Sequence, residues 1–291
     1  MREGKPVRRI ISLAPSLTET LFFLGLGEKV VGVTEQCDFP PEAREREKIG
    51  SFVKPDPERI LKLKPDLVLA LSRIHEKFLK EAGERNLPVL TLPPVRRVDD
   101  IFRLMEEIAD IAGGKKFLIN SLRERLEATR KRVEHLPRPR VFRLMTEDPI
   151  IAPTSSSYQW DAIRLAGGMP MPLKFEEPYT SVKLEEIMRF DPEVILSCGT
   201  RSGEERQKCP GCRAQNPPCQ RKADEIREWE GWRETRAARE GRIYPIPCEL
   251  ICRPGPRLVE GIEYMSGLFH PDARDDSMRE SDKSIRKDKG A

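Results

Sequence analysis

The chain has 291 residues, a net charge of +4, and 34% charged but only 6% aromatic residues. That length buries a substantial core as one large domain or as two of about 145 residues. Nucleic acid is excluded as the expected partner, because the positive charge forms no stripe interleaved with aromatics; no apolar run approaches the roughly 20 residues of a membrane span.

Met1 to Arg8 carry neither an apolar signal core nor a small-residue cleavage site. The chain as written is therefore expected in the cytoplasm, and outside it only if a signal peptide has been trimmed. Arg9 to Leu13 is a short strand-like run, and Ser16-Leu17-Thr18-Glu19 has the form of a capping box opening a helix that ends at Gly25-Leu26-Gly27. Val30 to Thr34 follows as a strand, with Cys37-Asp38-Phe39-Pro40 just past its end. Asp56-Pro57 starts a helix that Pro65 ends, and Leu67 to Leu71 is the next strand. A helix from His75 to Arg85 leads to the strand Pro88 to Leu92, then to a helix capped by Asp99 or Asp100, with Ile101, Leu104, Met105, Ile108 and Ile111 on one face.

Lys115 to His135 is a long helical stretch with Leu118, Leu122, Leu126 and Val133 at helical spacing, set between Gly113-Gly114 and Pro137-Arg138-Pro139. Beyond it the pattern repeats in outline. Arg140 to Leu144 is a strand, a helix around Trp160 to Ile163 stops at Gly167-Gly168, and a helix from Ser181 to Phe190 precedes the strand Val194 to Leu196. Arg242 to Pro247 is the last strand, followed by a helix near Pro256 to Phe269. Strands alternating with helices predict a parallel α/β sheet in each half. The expected organisation is an α/β lobe over 1–112, a linking helix over 113–138, and a second α/β lobe over 139–272 with a cysteine-rich insertion at 198–221. A disordered tail is expected over 273–291.

Five stretches carry a family likeness: Arg9 to Ser16 with Glu19; Val31-Gly32-Val33 with Cys37 to Pro40; Glu58-Arg59-Ile60; Lys64 to Val68; and Arg253-Pro254-Gly255-Pro256-Arg257. Through them the chain, over about residues 9 to 271, resembles the periplasmic-binding-protein family of cobalamin, haem and iron-siderophore ABC importers, nearest to its cobalamin-binding branch. The resemblance implies two Rossmann-like lobes joined by a long α-helix, with limited closure over a cleft between them. It implies a non-enzymatic protein holding a corrinoid, another tetrapyrrole or a metal chelate. It places Pro15, Gln36, Cys37, Phe52, Leu71, Ile151 and Leu250 at the cleft, where only Phe52 keeps the aromatic ring usual among cobalamin binders. The family docks on an ABC permease through one acidic residue per lobe. Glu76 falls near the first position; the second falls at Cys252, with Glu249 three residues away.

Cys198, Cys209, Cys212, Cys219, Cys248 and Cys252 follow the spacing C-x10-C-x2-C-x6-C-x28-C-x3-C. Cys198 and Cys248 each follow a strand, and the carboxyl edge of such a sheet faces the ligand crevice, as does Cys37 in the first lobe. All seven thiols can therefore meet at one cleft. Cys-Pro-Gly-Cys offers two sulfurs from one tight turn, which suits a soft metal. Three readings stand: small buried cysteines beside a loop, a four-thiolate zinc site, or an iron-sulfur cluster, which six thiols favour. The alternative for the whole chain is a cytoplasmic iron-sulfur redox or metal-handling protein reusing a solute-binding fold. His75 reads as a helix-start or surface residue, and His135 and His270 as cations at helix ends. Trp229 and Trp232 read as packing residues. No phosphate loop, nucleophile elbow or catalytic triad is present, so no enzyme activity is expected.

Overall fold

The structure, a computed structural model, describes residues 6–198 and 223–273. The first lobe runs through β1 (Ile10–Ser12), α1 (Pro15–Phe23), β2 (Val30–Val33), β3 (Glu47–Lys48), the short pair β4 (Gly50–Ser51) and β5 (Lys54–Pro55), α2 (Pro57–Lys62), β6 (Leu67–Leu71), α3 (Glu76–Glu84), β7 (Val89–Leu92) and α4 (Val98–Ala112). The linking helix is α5 (Lys116–Val133). The second lobe holds β8 (Arg140–Leu144), β9 (Thr146–Glu147), β10 (Ile150–Pro153), α6 (Tyr158–Leu165), β11 (Met169–Pro170), β12 (Tyr179–Ser181), α7 (Leu184–Phe190) and β13 (Val194–Ser197). After these come α8 (Ala223–Glu228), α9 (Arg236–Arg239), β14 (Ile243–Pro245), α10 (Cys248–Ile251) and α11 (Arg257–Phe269).

The α/β expectation is met by two parallel sheets. One has the order β3-β2-β1-β6-β7, the other β11-β8-β13-β14. A small antiparallel sheet, β12-β10-β9, flanks the second. Central strands such as β6 and β13 are apolar at successive positions because both faces of a parallel sheet are covered.

The expected spine forms as α5, whose 18 residues span about 27 Å at the helical rise of 1.5 Å per residue. It buries Ile119, Leu122, Thr129 and Val133, with Leu118 and Leu126 half-buried, and packs on α4 of the first lobe and α11 of the second. Arg123 pairs with Asp99 and Glu106 on one side, and Arg125 with Glu263 on the other. One apolar core runs through both lobes, from Ile10 and Leu67 across Met105 and Leu122 to Val194 and Met265.

Several local expectations are corrected. The Ser16–Glu19 capping box does not form: α1 starts at Pro15 behind Ala14, with no side-chain cap. Asp100 is the third residue of α4 rather than its cap, and its carboxylate accepts the N–H groups of Arg96 and Arg97. The helix expected from Ser181 begins only at Leu184, because Tyr179–Ser181 pairs with β10 as a strand. Asp56 caps α2 as expected, accepting from the N–H groups of Glu58 and Arg59. The expected insertion beyond Cys198 and the tail beyond Ala273 lie outside the described residues.

Candidate functional site

A cleft of about 640 Å³ opens between the lobes, within the roughly 300–1,000 Å³ typical of small-molecule sites. The first lobe contributes Pro15 at the start of α1, Phe52, Leu71 at the end of β6, and Val95. The second contributes Met145, Tyr158 and Tyr179, together with Cys198, Cys248 and Cys252. Arg73 and Glu177, one from each lobe, meet at 3.4 Å on the rim.

Phe52 is held from both sides. Its N–H donates to Gln36 Oε1 at 2.7 Å, and its carbonyl accepts from His75 Nε2 at 2.8 Å. His75 Nδ1 accepts the Leu71 N–H at 2.8 Å, which fixes the proton on Nε2. The ring of Phe52 meets His75 edge-on at 5.6 Å. His75 is thus a helix-start residue but not a surface one: it is buried, and burial holds its pKa below the ordinary 6.5. His270 stands at the C-cap of α11 as expected, but burial lowers its pKa too, which works against the charged form there.

The residues of the family likeness meet in one ion network between the lobes. Glu19 is 3% exposed and accepts from Arg253 at 2.9 Å and from Arg257 at 2.7 and 2.9 Å. Arg253 also binds Asp38 at 2.6 and 3.1 Å, and the Arg257 guanidinium stacks 3.9 Å over the Phe39 ring. Burial alone would raise the Asp38 carboxyl, but the Arg253 guanidinium outweighs it and holds Asp38 below its ordinary value. Glu19 is therefore a cross-lobe anchor rather than a helix cap.

The sulfurs of Cys198, Cys248 and Cys252 all lie within 4.8 Å of one another. Cys198 directly follows β13; Cys248 and Cys252 stand one turn apart at the two ends of α10, which follows β14. Beneath them Arg143 rises from β8, the neighbour of β13, and is 2% exposed. Its Nη2 donates to Cys198 Sγ at 2.7 Å and lies 3.9 Å from Cys252 Sγ. Its Nη1 donates to the carbonyls of Leu144 and Leu196. Hydrogen bonds from Cys248 and Cys252, with Arg143 beside them, hold the Cys198 thiol well below its ordinary pKa in spite of burial. Cys252, hydrogen-bonded to Cys198 and half-buried, is pushed up to about 12. Of the three thiols, Cys198 is thus the one favoured as the anion facing the guanidinium.

Of the residues expected at the cleft, Pro15, Phe52 and Leu71 line it together with these three cysteines. Four others stand elsewhere. Gln36 supports Phe52 from behind. Cys37 is 1% exposed and turned toward Thr18 and Thr34, whose hydroxyls lie 3.0 and 3.1 Å from its sulfur; burial raises its pKa. Ile151 lies in β10 between Thr146 and Ser181, and Leu250 packs against Gly261 of α11. Among the described residues three of the seven thiols meet, and Cys37, expected with them, stands apart; Cys209, Cys212 and Cys219 lie outside the described residues. Glu76 and Glu249 are exposed, in the first turns of α3 and α10. Tyr158 and Tyr179 were missed as cleft residues, as was Arg143 as the partner of the thiols. Tyr158 stands behind the Ser157 cap of α6, and its hydroxyl donates to the Cys252 carbonyl at 2.9 Å.

Two parallel sheets joined by one helix, with an apolar cleft between them, define a two-lobed solute-binding protein. The chain belongs to the periplasmic binding protein family, which it matches over residues 10–250. It is similar to an ABC transporter substrate-binding lipoprotein of Bacillus subtilis, 28% identical over 92% of this chain and 82% of that protein. It is also similar to a vitamin B12-binding protein of Vibrio parahaemolyticus, 27% identical over 89% of this chain and 88% of that protein. Among solved structures, the periplasmic vitamin B12 binding protein of Vibrio cholerae shares the fold with a TM-score of 0.73, 24% identity, and coverage of 93% of this chain and 99% of that one. A haem-binding protein of Roseiflexus shares it at 0.71, with 21% identity and coverage of 93% and 100%.

Proposed function

We propose that this chain is a non-enzymatic binding protein that holds a corrinoid, another tetrapyrrole or a metal chelate in its inter-lobe cleft, with Cys198, Cys248 and Cys252 as metal-ligating groups on the wall. The observation that carries this reading is the cleft itself: apolar, built from both lobes, and faced by Phe52 on one side and Tyr158 and Tyr179 on the other. A flat macrocycle buries large apolar faces between such walls and leaves its polar edge to rim groups such as Arg73 and Glu177. The relatives named as vitamin B12-binding proteins support that ligand class. Glu76 and Glu249, one exposed on each lobe, are the acidic residues we assign to docking on an ABC permease.

Isothermal titration with cobalamin and with haem tests the reading. One-to-one binding at micromolar or tighter affinity is expected, and Leu71→Arg, which sets a charge on the cleft wall, is expected to abolish it. Absence of binding to every tetrapyrrole tried would overturn it. A second reading has one observation in its favour: among the described residues Cys37, Cys198, Cys248 and Cys252 form no disulfide with one another, which suits a reducing compartment. On that reading the protein is a cytoplasmic iron-sulfur redox or metal-handling protein. Cell fractionation separates the two, since a wholly cytoplasmic pool would leave Glu76 and Glu249 facing no permease of the importing kind.

A further inference from the structure

Arg143 sets the electrostatic problem of the second lobe. It is fully buried in a central strand, it stays charged at any working pH, and its hydrogen-bond partners among the described residues are two carbonyls and two sulfurs. Its Nε has no hydrogen-bond partner among the described residues. Leaving a guanidinium uncompensated in the interior costs several kcal/mol, and the side-chain groups that face it among the described residues are sulfurs. They come from Cys198, Cys248 and Cys252.

Spacing decides what these sulfurs can hold. Thiolates bound to one tetrahedral ion at a metal–sulfur distance of about 2.3 Å stand about 3.8 Å apart. Thiolates on separate irons of a cubane cluster stand about 6 Å apart. The observed sulfurs are all within 4.8 Å, so a contraction of at most about 1 Å reaches the single-ion geometry, whereas a cluster requires them to separate. Charge selects the ion. Three thiolates and one divalent cation leave a single negative charge, which Arg143 cancels; a monovalent cation would leave the buried site negative. Thiolate ligands select a soft or borderline divalent ion over magnesium or calcium.

We propose that Cys198, Cys248 and Cys252 form a mononuclear site for a zinc-type divalent ion, and that its fourth coordination position opens into the cleft. Binding displaces the remaining thiol protons to solvent and forms three metal–sulfur bonds. All three cysteines line the cleft, so a nitrogen, sulfur or oxygen donor on the bound solute can complete the tetrahedron. This last step rests on the solute-binding reading; the three-sulfur site does not. The iron-sulfur cluster expected from the six-cysteine pattern is replaced at these three residues by one ion.

The test uses the full chain, reduced, stripped of metal and titrated with Co2+ under anaerobic conditions. One equivalent is expected, with the thiolate-to-cobalt charge-transfer bands and strong visible bands of tetrahedral coordination, displaced by Zn2+. Imidazole, a small nitrogen donor able to enter the cleft, is expected to shift the visible bands. Cys248→Ser and Cys252→Ser, each shown to be folded by circular dichroism, are expected to weaken binding by more than about a hundredfold, beyond the loss typical of outer-shell partners. A combined Cys209→Ser, Cys212→Ser and Cys219→Ser variant is expected to keep the stoichiometry and the spectrum. The proposal is overturned by a folded wild type that binds no Co2+, by loss of the site in the combined variant, or by iron and acid-labile sulfide in comparable amounts at the triad. A spectrum deaf to imidazole overturns the open position. Co2+ bound as expected by a protein that takes no tetrapyrrole would leave the site standing and fell only the ligand class.

Discussion

Glu19→Gln is the most informative single change, because it removes one charge from the junction of the lobes while keeping the side chain's size. The Glu19 side chain is 2% exposed, and its two partners, Arg253 and Arg257, are 12% and 17% exposed. Removing one member of a buried ion pair costs about 3–5 kcal/mol, since the remaining charge is left unpaired in the interior. Arg253 keeps Asp38 at 2.6 Å, and both guanidinium groups retain some solvent, so the lower end, about 3 kcal/mol, is expected. With a urea dependence of about 3 kcal/mol per molar, the unfolding midpoint should fall by about 1 M. Asp38→Asn should cost less, because the Asp38 side chain is 31% exposed. Adding Arg257→Met to Glu19→Gln should restore part of the loss, because an apolar side chain of similar length needs no counter-charge. A loss below about 1 kcal/mol for Glu19→Gln, or an equal loss for Asp38→Asn, would refute the anchor as a determinant of stability.

Burial lowers the pKa of His75 and His270 from the ordinary 6.5, so the unfolded chain binds more protons just below that value. The urea midpoint should therefore hold steady above pH 6.5 and fall as pH drops below it, and His75→Gln should flatten part of that slope. Gly261→Ala should lower the thermal midpoint through a loss of about 1–3 kcal/mol, because a Cβ there would stand 2.2 Å from the Leu250 carbonyl oxygen. Gly83→Ala, with nothing within 4 Å, should instead raise stability by about 0.5–1 kcal/mol. Phe52→Ala should weaken tetrapyrrole binding roughly tenfold in calorimetry while leaving the fold intact.

Local chemistry was legible in the sequence, and contacts between distant residues were not. Asp56 caps α2 because its partners are two and three residues away, so sequence and structure pose the same problem. Glu19 has the same local form as a capping residue, but its partners lie 234 and 238 residues along, and no window on the chain contains both. Cys198 and Cys248 could be placed at the cleft because strand ends in a parallel sheet share one edge. Cys37 follows a strand as well, yet Thr18 and Thr34 turn its sulfur into the core. Arg143 lies within the expected strand Arg140 to Leu144, and its burial follows only from β8 lying between β11 and β13, with chain packed on both faces. Tyr158 and Tyr179 reach the cleft from the start of α6 and from the flanking strand β12, just outside the helices expected around Trp160 and from Ser181.

The continuity of the core bears on how such a protein selects its ligand. A hinge between the lobes would have to open apolar contacts that run from the first sheet through α4, α5 and α11 to the second, and to separate Arg253 from Glu19. Both moves expose buried surface or unpaired charge, so large closure is opposed by the same interactions that hold the molecule together. The cleft is then largely preformed, and affinity depends on how well the solute fits walls already in place rather than on energy returned by closing them. The thiol set stands on that stiff part: Cys198 at the end of a central strand, Cys248 and Cys252 on the helix after its neighbour, and Arg143 fixed between strands. With an ion held there as proposed above, a donor atom of the solute must come to it, so the distance from the apolar walls to the three sulfurs acts as a ruler. On that proposal, solutes carrying a donor at that distance from a flat apolar face are held at both points, and those without one are held only by the walls.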